Sequence, residues 1–166
     1  MSQRNLWIMS GPPGCGKTTY VKQKIEEMKA ENPNAHIFHF SRDQIRFSLL
    51  KPDDDYFAKE NLVKQKFFNV VVMALLSWEN CDVFVDATFL SPRVRTNFIK
   101  KVNEIVNKEI HVNVVQFNVD LETCIERNKN RTGRECVPTS AIKNMYARYT
   151  PATMQEYNYN EIVVIE

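Results

Sequence analysis

The stretch Gly11-Pro12-Pro13-Gly14-Cys15-Gly16-Lys17-Thr18 constrains this chain more than any other. It matches G-x-x-x-x-G-K-[ST] in full, follows the apolar run Leu6-Trp7-Ile8-Met9, and precedes a segment of helical character. The residue types follow from the chemistry. Glycines let backbone N–H groups curl around phosphate oxygens, and the helix behind the loop presents its positive end. Lys17 is placed to reach the β and γ phosphates of a nucleotide, and the Thr18 hydroxyl to ligate Mg²⁺. Gly11, Gly14, Cys15, Gly16, Lys17, Thr18 and Thr19 are therefore the candidate ATP-binding set.

The rest of the chain alternates short apolar runs with longer amphipathic ones, and no repeat or linker divides it. Strands are expected at Leu6–Met9, His36–Phe40, Asp82–Asp86, His111–Val119 and Glu161–Glu166. Between them, helices are expected from the loop to about Ala30 and from about Asp43 to Leu49. Apolar residues at Val63, Phe67, Val70, Val71, Ala74 and Trp78 predict a long helix over Tyr56–Glu79 with one buried face. Ser91-Pro92 reads as an N-cap with proline at the first helical position, opening a helix to about Asn107. Two more helices are expected, over Leu121–Lys129 and from Pro138 to about Tyr149. Strands separated by helices give an α/β fold: a five-stranded parallel sheet with helices on both faces, in a single domain over residues 1–166. Ligands of such sheets sit beyond the carboxyl ends of the strands.

Three further groups fall at that edge. Asp43, after the second strand, is placed to accept a proton from an acceptor hydroxyl, and Arg46 lies on the same helical face with a fork suited to an anion. Asp86 ends the third strand as a carboxylate that can hold Mg²⁺, and Thr88 is a candidate acceptor contact. Arg127 and Arg131, one helical turn apart ahead of Gly133, read as lid residues facing the charge of phosphoryl transfer, with Arg134 a weaker third. Lys17, Asp43, Arg127 and Arg131 are the catalytic candidates. His36, His39 and His111 lack metal-ligand spacing and read as structural, and the tyrosines of Tyr146–Tyr159 read as packing or as base-stacking groups.

A formal charge of +2 argues against a long basic track for a polymer, so any polyanion contact should be local. Four separated cysteines, without a C-x-x-C pair, favour a reducing compartment. The longest apolar run, Val70–Leu76, is too short to span a bilayer, and a cytoplasmic protein with no membrane partner is expected.

Gly11–Thr18, Ser41-Arg42-Asp43 with Arg46, Val85-Asp86, and the run from Arg127 to Val137-Pro138 together resemble the 5′-hydroxyl polynucleotide kinase domain, in the same order over nearly the whole chain. That resemblance implies the P-loop NTPase fold with a small arginine-bearing lid, ATP and Mg²⁺ as cofactors, and a 5′-OH end of RNA or DNA as partner. It implies that Asp43 is the general base, that Arg46 grips the acceptor's 3′-side phosphate, and that Asp86 organises the acceptor or metal site. Arg127 and Arg131 would then be lid arginines on the ATP phosphates. The sequence departs from the bacteriophage type at Ala87, where a hydroxyl-bearing residue is the pattern, and it lacks the D-x-D-G-T motif of a phosphatase domain. The residues alone also accommodate a kinase of a nucleoside, sugar or other small metabolite, and a nucleotide-dependent switch or ATPase.

Overall fold

The computed structural model describes residues 2–166. Strand β1 (Gln3–Ser10) leads through the glycine loop into helix α1 (Lys17–Glu31), and β2 (Ile37–Ser41) runs straight into α2 (Arg42–Leu49). Helix α3 (Glu60–Ser77), β3 (Asn80–Asp86), α4 (Pro92–Val106) and β4 (Ile110–Phe117) follow. Helix α5 (Leu121–Lys129), a short 3-10 turn at Gly133–Glu135, α6 (Thr139–Arg148) and β5 (Glu161–Ile165) complete the described chain. The strands form one sheet in the order β2-β3-β1-β4-β5, and every pairing is parallel.

Successive side chains of a strand point to opposite faces, and here both faces are covered, so the central strands are apolar throughout. Leu6, Ile8, Val83, Val85, Val112 and Val114 pack with Phe67, Val71 and Leu75 of α3 and Ile99, Val102 and Val106 of α4. Met9, Phe84, Val115 and Phe117 point the other way, onto Val21 of α1, Cys124 of α5 and Ile142 of α6. Each large side chain fully buried this way stabilises the fold by about 1.5–3 kcal/mol.

Register sets the functional edge. Asp86 is level with Met9 of β1 on one side and with Ser41 of β2 on the other. The residues just past those positions therefore share one rim: the glycine loop, the start of α2 and the loop after β3.

The long helix starts at Glu60, four residues later than its apolar spacing predicts. Lys59 Nζ donates to the Leu49 carbonyl at 2.7 Å. Tyr56, freed from the helix, turns its ring against Arg46, 4.3 Å from the guanidinium carbon. The helix start gives way to a tertiary contact at the rim.

Candidate active site

The loop owes its shape to glycines at two positions. Gly14 has φ +82°, and a Cβ there would stand 2.4 Å from the Cys124 carbonyl oxygen, so α5 backbone packs directly on the loop. Gly16 has φ +100° and serves as the N-cap of α1 in a left-handed conformation without any side-chain cap bond. The contrast with other helices is informative. Ser41, Ser91 and Asp120 cap α2, α4 and α5 through their side chains. Helix α1 has no acidic residue in its first turn either, so its free N–H groups and positive end remain directed at the loop's concavity. Lys17 Nζ is drawn into that concavity, donating to the carbonyls of Gly11 at 2.8 Å and Pro12 at 2.9 Å, with Cys15 Sγ at 3.6 Å. Cys15 and Lys17 are buried, whereas Thr19 is exposed on α1.

Thr18 and Asp86 meet: the hydroxyl donates to Asp86 Oδ2 at 2.8 Å. His39 Nε2 stands 3.0 Å from the same oxygen, which makes it a donor in the tautomer carrying a proton there. Burial alone would raise the Asp86 carboxyl. The His39 and Thr18 hydrogen bonds and the nearby Lys17 charge outweigh it and hold the pKa below the usual carboxylate value. An ionised carboxylate beside a hydroxyl is a hard oxygen pair suited to Mg²⁺. Among the described residues, no group of three or more His, Cys, Asp and Glu gathers as a metal cage. These donors therefore fit an ion held mainly by a nucleotide's phosphates.

On the other side of the rim, Asp43 is exposed at the start of α2. Its Oδ1 accepts from Arg46 Nη1 at 2.5 Å and from the Tyr56 hydroxyl at 2.6 Å. Arg46 is almost wholly buried, and its Nη2 donates to Glu60 Oε2 at 2.6 Å. Burial would lower this guanidinium, but the Glu60 hydrogen bond and the surrounding Tyr56, Glu60 and Asp43 charges raise it. Burial and the Asp43 carboxylate push the Tyr56 phenol up, so it remains a donor. Arg46 is thus a brace for two carboxylates, where the sequence placed it as a free anion grip.

Thr88 accepts through its carbonyl from Gly11 N–H at 2.9 Å, tying the loop after β3 to the glycine loop. Phe89 follows with φ 42°, a left-handed conformation costly for a bulky residue. Its carbonyl accepts from Ser10 Oγ and Arg95 Nη1, each at 2.8 Å, which holds the strained turn.

The two expected lid arginines part company. Arg127 Nη1 reaches over the glycine loop to the Cys15 carbonyl at 3.2 Å. Helix α5 ends at Lys129, so Arg131 lies beyond it and faces its own loop, 3.5 Å from the Glu135 carbonyl. The buried Asn128 causes this break. Its amide donates to the Val137 carbonyl at 2.6 Å and accepts from Val137 N–H at 2.9 Å, pulling the chain back across itself. The Arg134 side chain lies outside the described residues.

His39, Arg42, Tyr56, Glu60 and Asn128 escaped sequence reasoning. The i,i+4 spacing of Tyr56 and Glu60 was available as a signal. The His39 contact depends on β2 lying beside β3, and strand order has no local signature.

The strand order, the uncapped glycine loop and the Thr18–Asp86 pair define a P-loop kinase domain. A protein-family profile described as an AAA domain matches residues 6–152, and the chain belongs to that family of P-loop kinase domains. The adenylate kinase of Thermosipho africanus (strain TCF52B) is 27% identical over 141 residues, covering 83% of this chain and 64% of that protein. This chain thus spans under two-thirds of that relative's length. Two solved structures share the fold. Chaetomium thermophilum Kti12 in complex with ADP-AlF3 has a TM-score of 0.70 at 15% identity, covering 96% of this chain and 88% of the other. A fungal RNA kinase has a TM-score of 0.67 at 15% identity, covering all of this chain and 39% of the other. Among the described residues, no helix is long and apolar enough to cross a membrane.

Proposed function

We propose that this protein transfers the γ-phosphate of ATP to the 5′-hydroxyl end of RNA or DNA. The observation that carries this reading is Asp43. Its Oδ1 is fixed by Tyr56 and Arg46, while no described residue bonds Oδ2, and the side chain is half-exposed on the rim shared with the glycine loop. A carboxylate held at one oxygen and open at the other is suited to receive a hydroxyl proton.

In this reading the acceptor oxygen gives its proton to Asp43 Oδ2 and bonds to the γ-phosphorus. The bond to the β–γ bridging oxygen breaks, and ADP leaves with the electron pair. Lys17, Arg127 and the N–H groups at the start of α1 hold the charge on the phosphate oxygens. Arg131 joins them only if the lid closes further than the Asn128 clamp sets it. Thr18 and Asp86 would hold Mg²⁺, which when bound supplies charge neutralisation on the nucleotide. His39 holds Asp86 in place.

The likeness to a fungal RNA kinase supports a nucleic-acid acceptor, and the likeness to an adenylate kinase supports a phosphate-bearing nucleotide as a second reading. The test is transfer of labelled γ-phosphate from ATP with Mg²⁺ to 5′-OH oligonucleotides, nucleoside 3′-phosphates, nucleoside monophosphates, free nucleosides and sugars. Label on the first two supports the proposal. Label confined to monophosphates, nucleosides or sugars replaces it with a metabolite kinase. ATP hydrolysis with no labelled acceptor replaces it with a nucleotide-driven switch.

A further inference from the structure

Arg46 has its amino groups engaged: Nη1 donates to Asp43 and to the Tyr56 hydroxyl at 2.9 Å, and Nη2 to Glu60. A phosphate arriving beside Asp43 would have to take Arg46 away from the carboxylate it braces. Four residues earlier on the same helix, Arg42 is in the opposite condition. Its guanidinium carbon lies 5.1 Å from the Phe67 ring centroid and 5.8 Å from that of Phe89. Both rings are buried. They offer the cation attractive faces but no hydrogen-bond acceptors. Arg42 Nε is shut off from solvent without a partner, and among the described residues the side chain forms no ion pair. It nonetheless sits within electrostatic reach of Glu60, Arg46, Asp43 and Tyr56, at the acceptor end of the rim.

We infer that Arg42, and not Arg46, receives the anionic group of the acceptor, a phosphate next to the hydroxyl being phosphorylated. Arg46 is a positioning residue that orients Asp43. This inference rests on the proposed transfer to a 5′-hydroxyl and names the determinant of its acceptor class. The apolar floor of Phe67 and Phe89 fixes the guanidinium plane, so that its N–H edge is the part left to bond. An anion there is paired with a cation, which offsets the like charge of Asp43.

The decisive experiment compares three acceptors. They are a 5′-OH dinucleotide with its natural phosphodiester, the same dinucleotide with a neutral methylphosphonate link, and a nucleoside 3′-phosphate. Arg42→Met should raise KM for the two charged acceptors by about 30-fold and change the neutral one by less than about threefold. Arg42→Lys should recover part of the loss, because it keeps the charge without the planar fork. Arg46→Met should lower kcat on all three alike. Unchanged ATP affinity and melting temperature in the Arg42 variants exclude misfolding. Equal losses on charged and neutral acceptors in Arg42→Met would overturn the assignment, as would discrimination carried by Arg46 or wild-type enzyme indifferent to the methylphosphonate. If no acceptor of this kind is labelled, the transfer reading itself fails. Calorimetric titration with the nucleoside 3′-phosphate then decides separately: binding lost in Arg42→Met keeps the anion site, and no binding by wild type removes it. A response to the 3′-phosphate but not to the dinucleotide would assign the site to free nucleotides rather than nucleic-acid ends.

Discussion

Asp43 and Gly14 depend on their surroundings in different ways. Asp43 is held in place by hydrogen bonds from Tyr56 and Arg46, and an amide at the same position could keep the volume but not accept a proton. Asp43→Asn should therefore leave ATP affinity within about threefold of wild type while lowering turnover by roughly 100-fold or more. Single-turnover transfer rates and nucleotide titration measure the two effects separately, and wild-type turnover would remove Asp43 as the base. Gly14 depends on backbone space. With a Cβ aimed 2.4 Å from the Cys124 carbonyl and φ at +82°, Gly14→Ala must displace α5 or flatten the loop. The expected cost is about 1–3 kcal/mol of stability. Nucleotide binding should weaken with it, because the displaced α5 carries Arg127. A calorimetric melt and an ATP titration on the same sample would show whether the two losses travel together.

At the scale of elements, what the sequence could reveal depended on how local the causes were. Strands and helices whose apolar residues recur at period two or near 3.6 were legible, because burial against a flat sheet repeats the same demand along each element. The glycine loop was legible because phosphate binding requires particular residue types in order. The start of α3 was not: Tyr56 leaves the helical path to bond Asp43, a partner 13 residues earlier in sequence. Arg131 was misplaced for a similar reason. Continuing α5 for one more turn would put it beside Arg127, but Asn128 bonds both backbone groups of Val137 and turns the chain at Lys129. This clamp makes a prediction. Asn128→Ala leaves the Val137 N–H and carbonyl without their partner, at a cost of about 1–3 kcal/mol. Amide exchange should accelerate between residues 130 and 138, with ATP KM raised and the exchange of β1 unchanged. Uniform acceleration across the sheet would mean that Asn128 supports the whole fold and not the lid.

The whole molecule is joined at one buried side chain. Arg95, fully buried at the start of α4, engages its guanidinium with Ser10 Oγ, the carbonyls of Phe89 and Thr150, and both carboxylate oxygens of Glu156. Ser10 ends β1 immediately before the glycine loop, Phe89 is the strained residue after β3, and residues 150–156 lead towards β5. One cation thus fixes the base of the nucleotide loop, the acceptor-side loop and the last connection to the sheet. Tyr149 reinforces it, its hydroxyl donating to the Ser10 carbonyl at 3.0 Å. Arg95→Met would leave the Glu156 charge buried and unpaired, so a loss of about 3–5 kcal/mol is expected, with Arg95→Lys intermediate. The pH dependence has a definite sign. Burial alone would raise Glu156, but hydrogen bonds from Arg95 and Tyr159, with the Arg95 charge, hold its pKa below the ordinary value of 4.5. The unfolded chain then binds the proton more readily than the folded one. The pair's contribution is therefore present above pH 4.5 and is lost as pH falls through the depressed folded value. Melting temperatures from pH 7 down to pH 3 should decline on the acid side in wild type and decline less steeply in Glu156→Gln, from a lower starting point. Parallel acid limbs would show that another carboxylate, with Asp86 the foremost candidate, governs acid unfolding.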